Sequence, residues 1–285
     1  MFAARWDLEE SPHVIDYQFH WRTLVIRRIG LSGLCLALLL ACADTVPPSL
    51  EQVWTPENPK FSEHFRYVTV GSVPNSKMND VAATLAEHYD RLLTNQGVER
   101  LPIVTVKVWG DRSAFEAAFL AHPDGNAKFP TKLVGGYIDA ADWEALFFNF
   151  DRPLGLTAVH EVTHLVSIAA NPTIDNNPRW LWEAIAIYES GRPFIPEKAD
   201  LKCIGASSAP TLQELNDHPL NIYRVGSYLT QFVAETWGFE SLRHLIKRNG
   251  DIQEALEISE QEFESLWHRW MTVDLSPRAT VDRDC

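Results

Sequence analysis

The sequence predicts an α+β fold, in which a small mixed sheet belongs to the N-terminal half and helices form the C-terminal half. Three observations predict this fold. Runs that alternate like strands or are rich in valine and isoleucine precede Pro153. Segments with apolar residues at helical spacing lie between those runs. After Pro153 almost every segment has helical spacing, and strands mixed with helices followed by helices alone are typical of α+β proteins.

The mixed half contains four predicted strands, at residues 65–70, 102–109, 135–138 and 145–150. The first alternates between apolar and polar residues, and the second is rich in valine. Apolar residues between Val81 and Leu92 recur at helical spacing and predict a helix between these two strands. Asp111 or Ser113 is expected to cap a further helix that continues through Leu120.

The helical half divides into five predicted helices, at residues 154–170, 179–190, 222–237, 239–249 and 259–271. Gly238 and Gly250 lie where helices are expected to end, because glycine readily adopts the left-handed conformation found after a helix. Pro178 lies at the first turn of the second helix, where no intrahelical N–H bond is lost. Residues 61–285 are predicted to form one domain.

The composition is that of a folded, acidic protein. Hydrophobic residues make up 46% of the 285 residues and charged residues 22%, which supplies ample apolar material for a core. The formal net charge is −13. Nucleic-acid binding needs a basic surface that neutralises phosphates, so no nucleic-acid partner is expected.

The N-terminal region has the pattern of a targeting segment. A basic stretch ending at Arg28 precedes an uncharged run of twelve residues from Ile29 to Leu40. Such a run is too short to cross the ~30 Å hydrocarbon core of a membrane as a stable helix. A basic stretch followed by a short apolar run is typical of a secretory signal, so residues 1–41 are predicted to be a signal or targeting segment.

Residues 1–24 do not have the composition of a signal peptide. Asp7, Glu9 and Asp16 precede the basic stretch, where acidic residues are out of place. We therefore expect translation to begin near Val25.

The apolar run ends in Leu39-Leu40-Ala41-Cys42. This string resembles a bacterial lipobox, in which a signal peptidase cuts before a cysteine that is then lipidated, so Cys42 is the predicted lipidation site. Ala43 follows the cysteine, whereas an aspartate there would favour inner-membrane retention by resemblance to enteric lipoproteins. The expected product is a lipid-tethered protein of the bacterial cell envelope that faces the periplasm, with the outer membrane slightly favoured. Residues 42–60 contain four prolines without periodicity and are the predicted linker.

Cys203 and Cys285 are the two cysteines that remain when Cys35 leaves with the signal and Cys42 carries the lipid. A lone pair of cysteines in an oxidising compartment is predicted to form a disulfide. The alternative is two separate free thiols.

The string His160-Glu161-Val162-Thr163-His164 is the most specific pattern in the chain. Residues i and i+4 of a helix lie on one face, so His160 and His164 can reach one ion at the ~2.0–2.1 Å that zinc requires. Glu161 is adjacent to His160, which places its carboxylate beside a water molecule rather than on the metal. Uncharged flanking residues favour a buried helix. The alternative is a chance match in which the histidines bond to neighbouring groups.

Glu183 supplies a third candidate ligand, nineteen residues after His164. The residues around it are apolar, so burial of its charge also requires a partner. Two histidines and one carboxylate are the protein ligands of thermolysin-type catalytic zinc, which leaves a fourth position for water. The sequence therefore predicts that His160, His164 and Glu183 bind Zn²⁺.

These two segments resemble the gluzincin peptidases, and most closely the peptidase MA-like family. Members typically have HExxH and then a Trp-Leu-x-Glu-Gly-x-Ala-x-Tyr segment. The residues of the second segment that match are Trp180, Leu181, Glu183, Ala186 and Tyr188. Ala184 replaces the usual glycine, which is a small change on a helix. The resemblance covers about residues 61–272 and implies a zincin-like metalloprotease domain.

The resemblance also implies a mechanism, in which a zinc-activated water hydrolyses a peptide or protein substrate. Glu161 would act as the general base and pass the proton to the leaving amine. Tyr223 is the candidate donor to the oxyanion, with His218 and Tyr228 as alternatives, and its other possible role is that of a core aromatic. An extended peptide is expected to add to an exposed strand, with 145–150 as the predicted edge.

One departure from the family pattern concerns the partners that usually orient zinc-bound histidines. Ile187 occupies the position four residues after the third ligand, where thermolysin-like enzymes often have aspartate. Glu189 is the nearest carboxylate, but its position around the helix is wrong for this role.

Two other functions stay open at this point. One is a non-catalytic, zinc-stabilised scaffold lipoprotein of the cell envelope, and the other is a zinc hydrolase that acts on cell-wall amide bonds. Glu161 argues against the scaffold, because a structural site gains nothing from a carboxylate next to its first ligand. Structural zinc also usually has four protein ligands, often cysteines, and no cysteine lies near this motif.

Overall fold

The computed structural model describes residues 51–122, 135–149, 153–191, 209–217 and 219–275, all within the compact unit Pro47–Cys285. Four sequence predictions lie outside the described residues. They are the signal segment 1–41, the lipidation site Cys42, the disulfide between Cys203 and Cys285, and the alternative oxyanion donor His218. Among the helices that the structure describes, none is both long and apolar enough to span a membrane.

The N-terminal half is built on a five-stranded mixed sheet. Its strands are β1 (Glu51–Trp54), β2 (Phe65–Val70), β3 (Val104–Trp109), β4 (Gly136–Asp139) and β5 (Glu144–Phe148). Their order in the sheet is β1-β2-β3-β5-β4. The central pairs β2–β3 and β3–β5 are parallel, and the outer pairs β1–β2 and β4–β5 are antiparallel. The predicted α+β class with a small mixed sheet is confirmed.

Two sequence-based expectations about the sheet are wrong. The predicted linker 42–60 includes β1 and a 3-10 helix at Pro59–Ser62, so this part of it belongs to the folded domain. Most of β1 is exposed, and a strand with little burial needs no apolar alternation. The segment 145–150 is not a free edge either, because β5 pairs with β3 on one side and β4 on the other. The edge next to it is β4, at Gly136–Asp139.

Eight α-helices of the described chain accompany the sheet, and a π-helix at Trp270–Leu275 follows the last of them. They are α1 (Asn75–Gln96), α2 (Arg112–Ala121), α3 (Leu154–Ala170), α4 (Arg179–Glu189), α5 (Leu212–Asp217), α6 (Pro219–Lys247), α7 (Ile252–Leu256) and α8 (Glu260–Arg269). Asp111 caps α2 as predicted, through a bond from the Ala114 N–H to its carboxylate. The two helices predicted at 222–237 and 239–249 are joined in α6 across a kink at Gly238, which has φ of 84°. The short helices α5 and α7 are not predicted by the sequence analysis.

Helix α3 matches the predicted span 154–170 and is buried along most of its length. Its first turn is bonded to α1, because the Gly155 N–H donates to the Asp80 carboxylate at 2.8 Å. The two helices are very close there: a Cβ on Gly155 would lie 2.2 Å from the Thr84 hydroxyl oxygen. Farther along α3, the Ser167 hydroxyl donates to the Gln96 side chain at 2.7 Å. These contacts fix the position of α3 against α1.

The described part of the chain has two large apolar clusters, and α3 contacts both. One cluster joins α3 to α1 and to strands β2, β3 and β5. The other joins α4 to the helices that follow it, and the last turn of α3 packs on its surface through Ile168 and Ala170. Helix α3 therefore lies between the sheet and the C-terminal helices, which brings it alongside α4.

Candidate metal centre

His160 and His164 lie one turn apart on the buried helix α3. Their Nε2 atoms are 3.2 Å apart, and the two residues are only 7% and 5% exposed. A short Nε2–Nε2 separation is favourable only when a proton or a cation lies between the two lone pairs. The spacing of the two histidines thus places two nitrogen donors at one point inside the protein.

Glu183 reaches the same point from α4. Its Oε2 atom is 3.4 Å from the His160 Nε2 atom, and the residue is 6% exposed. One potential ligand atom from each of Glu183, His160 and His164 lies within 4.8 Å of the other two. The structure therefore brings together the three predicted ligands in a buried cluster that could hold a metal ion.

The hydrogen bonding of the cluster fits a metal ion. Within the described structure, the Nδ1 atoms of His160 and His164 have no hydrogen-bond partner, and the buried Glu183 Oε2 atom has no hydrogen bond of normal geometry, since its contact with the His160 Nε2 atom is 3.4 Å long. Leaving a buried carboxylate oxygen without a partner costs free energy, and a cation at the centre of the cluster would remove that cost. Two nitrogen donors and one carboxylate oxygen are a donor set that suits divalent transition metals.

The ionisation states of His164 and Glu183 are those of metal ligands. Burial, followed by the neighbouring His160, lowers the pKa of His164 to about 3, so its imidazole is neutral at pH 7. Burial alone would raise the pKa of Glu183, but its interactions with the two histidines and Arg179 outweigh burial and lower the pKa to about 2. Neutral imidazole and ionised carboxylate are the forms that coordinate metals.

Glu161 lies beside the cluster but faces the edge strand β4. It is 5% exposed, and the three atoms nearest to a Cβ added on Gly136 would all belong to its side chain. The closest of them, the Glu161 Oε1 atom, would be 2.4 Å away. Gly136 is a site residue that the sequence analysis missed, although a glycine at the start of a strand is a known sign of close backbone approach.

Tyr223, on α6, also lies at the cluster. Its ring centroid is 6.5 Å from that of His160, with 29° between the ring planes. Burial, and then the negative charge of Glu183, raises the pKa of Tyr223 well above its usual value of 10, so its hydroxyl stays protonated and can donate. Tyr223 and the alternative donor Tyr228 are both partly buried, and both pack against the C-terminal apolar cluster.

Two further contacts of the cluster come from α4 and are not predicted by the sequence analysis. The Arg179 Nη2 atom is 3.5 Å from the Glu183 Oε1 atom, the oxygen that does not face His160. The indole of Trp182 lies flat against the imidazole of His164, with ring centroids 4.2 Å apart and planes 8° apart. The i, i+4 spacing of Arg179 and Glu183 could have indicated the first contact. A sequence pattern carries no comparable signal for the stacking.

Glu189 has a different role from that of the metal-ligand partners, as its position around α4 predicts. Its buried side chain pairs with Arg91 and accepts a bond from the Asn95 amide at 2.8 Å, both on α1. Ile187 belongs to the C-terminal apolar cluster. Glu189 therefore fastens the end of α4 to α1.

No known protein family, curated protein or solved structure matched this chain. The chemical interpretation of the cluster therefore depends on the side chains of this chain and their geometry.

Proposed function

We propose that this protein is a zinc-dependent peptidase in which His160, His164 and Glu183 hold the zinc ion. The observation that carries the proposal is the convergence of these three buried side chains, with ligand atoms within 4.8 Å of one another. Two histidines and one carboxylate are the ligand set of catalytic zinc in thermolysin-type enzymes, with a fourth position open. When bound in such a site, zinc lowers the pKa of water and polarises the substrate carbonyl. The resemblance of residues 160–164 and 180–188 to the gluzincins supports the same function.

Glu161 is the proposed general base. Its carboxylate is buried next to the first ligand and is directed to the side of α3 that faces β4. From there a carboxylate oxygen can take the proton of the attacking water and deliver it to the nitrogen of the leaving amine. A scaffold that used zinc only for stability would have no use for this carboxylate, which favours an enzyme.

Tyr223 is the proposed donor to the oxyanion that forms during hydrolysis. Its hydroxyl stays protonated at neutral pH, and its ring lies beside the cluster. A donor that the protein holds in place stabilises developing negative charge more effectively than a mobile water molecule. The phenol of Tyr223 would donate to the substrate oxygen and hold its own proton throughout the reaction.

The edge strand β4 is the proposed place for an extended peptide substrate. Among the described strands it pairs with β5 alone, and it borders α3 at the position of Glu161. A peptide that adds to a free edge receives main-chain hydrogen bonds along its length. Addition at Gly136–Asp139 would place the peptide beside the general base, in place of the segment 145–150 that the sequence favoured.

The remaining features belong to the same proposal. The substrate is a peptide or protein, with no nucleic-acid partner, since the chain has a net charge of −13. The protein would be held at the bacterial cell envelope by a lipid on Cys42, facing the periplasm. Cys203 and Cys285 would form a disulfide there.

The test uses the soluble form that begins at residue 43, purified and assayed for bound metal and for hydrolysis of peptides. We expect one zinc per chain. Glu161→Gln should keep the zinc and lose peptide hydrolysis, because it removes the base and no ligand. Glu87→Gln, a matched change at an exposed position on α1, serves as the control and should have parental activity. A Glu161→Gln variant as active as the parent, or a parent that binds no divalent metal, would refute the proposal.

A further inference from the structure

In the part of the chain that the structure describes, neither candidate ligand histidine makes the hydrogen bond that usually orients a metal-bound imidazole. Such histidines almost always donate the second ring N–H to a carboxylate, a backbone carbonyl or a water, which fixes the ring plane. The Nδ1 atoms of His160 and His164 are buried and lack a hydrogen-bond partner in the region the structure describes. Contact with the flat face of an imidazole can also restrain the plane of the ring.

The indole of Trp182 provides that restraint for His164. The two rings are nearly parallel, with centroids 4.2 Å apart and planes 8° apart. Trp182 is itself 5% exposed, so the indole cannot move aside without disturbing the packing around α4. Rotation of the imidazole about its Cβ–Cγ bond would break the parallel contact and turn Nε2 away from the cluster. For His160, the corresponding ring of Tyr223 is farther away, at 6.5 Å.

We propose that Trp182 is a positioning residue for the metal centre, because its stacked indole holds His164 in the plane that directs Nε2 to the other ligands. The inference rests on the proposed zinc site. Trp182 directly precedes Glu183, so one turn of α4 supplies a metal ligand and orients a second ligand on α3. Ligands that are held in place before the metal binds lose less conformational freedom when it does.

The experiment compares zinc dissociation constants, measured by chelator competition, for the full chain and three variants. Trp182→Leu removes the stacked ring, and Trp182→Phe keeps an aromatic ring at the same position. Trp180→Leu is the matched control, because Trp180 is an equally buried residue of α4 whose ring packs against Phe263 rather than a histidine. The absorption spectrum of the cobalt-substituted proteins reports the geometry of the ligands independently of affinity and activity.

We expect Trp182→Leu to bind zinc at least about tenfold more weakly than the parent, in line with the effect of losing an orienting partner of a metal ligand. Its cobalt spectrum should change, and Trp182→Phe should restore most of both properties. Trp180→Leu should match the parent in affinity and spectrum. If Trp182→Leu does not fold, Trp182→Met takes its place as the variant without a ring.

Parental affinity and spectrum in the ringless Trp182 variant would overturn the inference, as would equal weakening by Trp180→Leu. Both results can be distinguished from the result that would refute the proposed zinc site, because in that case the parent chain itself binds no zinc. The zinc affinity of the parent therefore separates the two questions.

Discussion

The contact between Gly136 and Glu161 provides a sharp test of how the site is assembled. In Gly136→Ala, the new Cβ would lie 2.4 Å from the Glu161 Oε1 atom and 2.7 Å from its Cδ atom. Comfortable contacts between non-bonded heavy atoms are about 3.5 Å, so β4 or the carboxylate must move by about 1 Å. Misplacement of a catalytic group by about 1 Å can reduce the rate about 100-fold. We therefore expect kcat/KM for a peptide to fall about 100-fold.

Zinc content should remain at the parental level in Gly136→Ala, because the atoms nearest to the new methyl group belong to Glu161 and not to a ligand. The assay is steady-state peptide hydrolysis, with metal analysis and thermal unfolding of the same samples. Gly110→Ala is the control for general damage: its Cβ would lie 2.2 Å from the Ser72 carbonyl oxygen and would meet no atom of Glu161. Activity per folded molecule should be parental in the control. A Gly136→Ala variant with parental kcat/KM would refute this account of the position of Glu161.

Three more predictions concern single side chains. Glu183→Ala removes one of three ligands and should abolish stoichiometric zinc binding; one zinc per chain after dialysis would contradict this role. Tyr223→Phe should lower kcat by about 10²–10³-fold with zinc content unchanged, and an unchanged kcat would make Tyr223 a core aromatic. Burial favours the protonated form of Asp139, but bonds from the Asp142 N–H and from His122 outweigh it and lower its pKa below 3.8. A lowered pKa stabilises the fold at neutral pH, and that stabilisation is lost as the pH falls through the folded-state value. Asp139→Asn should therefore have a lower free energy of unfolding than the parent in denaturant at pH 7, and this difference should shrink below pH ~4. A difference in unfolding free energy that does not depend on pH would contradict a stabilising role for the Asp139 carboxylate.

The helices that contain the site residues could be predicted from the sequence, because helical patterns involve residues that are close together along the chain. Helix α3 has the predicted span, and the i, i+4 spacing of His160 and His164 determines that they share a face. The apolar surroundings of Glu183 indicate that its carboxylate needs a buried partner, and the structure places that partner on α3. The positions of these three polar side chains within apolar helices were thus enough to indicate that they lie together in the fold.

The order of the strands could not be predicted, because alternation identifies a strand and does not identify its neighbours. Segment 145–150 contains β5, which pairs with β3 and β4, whereas β4 pairs with β5 alone among the described strands. The stacking of Trp182 on His164 was also beyond the sequence, since it depends on the distance and angle between two helices. The role of Gly136 likewise depends on the approach of β4 to α3.

The most direct test of the central claim is anomalous X-ray diffraction from crystals of the zinc-loaded protein, recorded on both sides of the zinc absorption edge. We expect one strong anomalous peak between the Nε2 atoms of His160 and His164 and a carboxylate oxygen of Glu183. A peak at any other group of side chains, or no peak within this cluster, would contradict it.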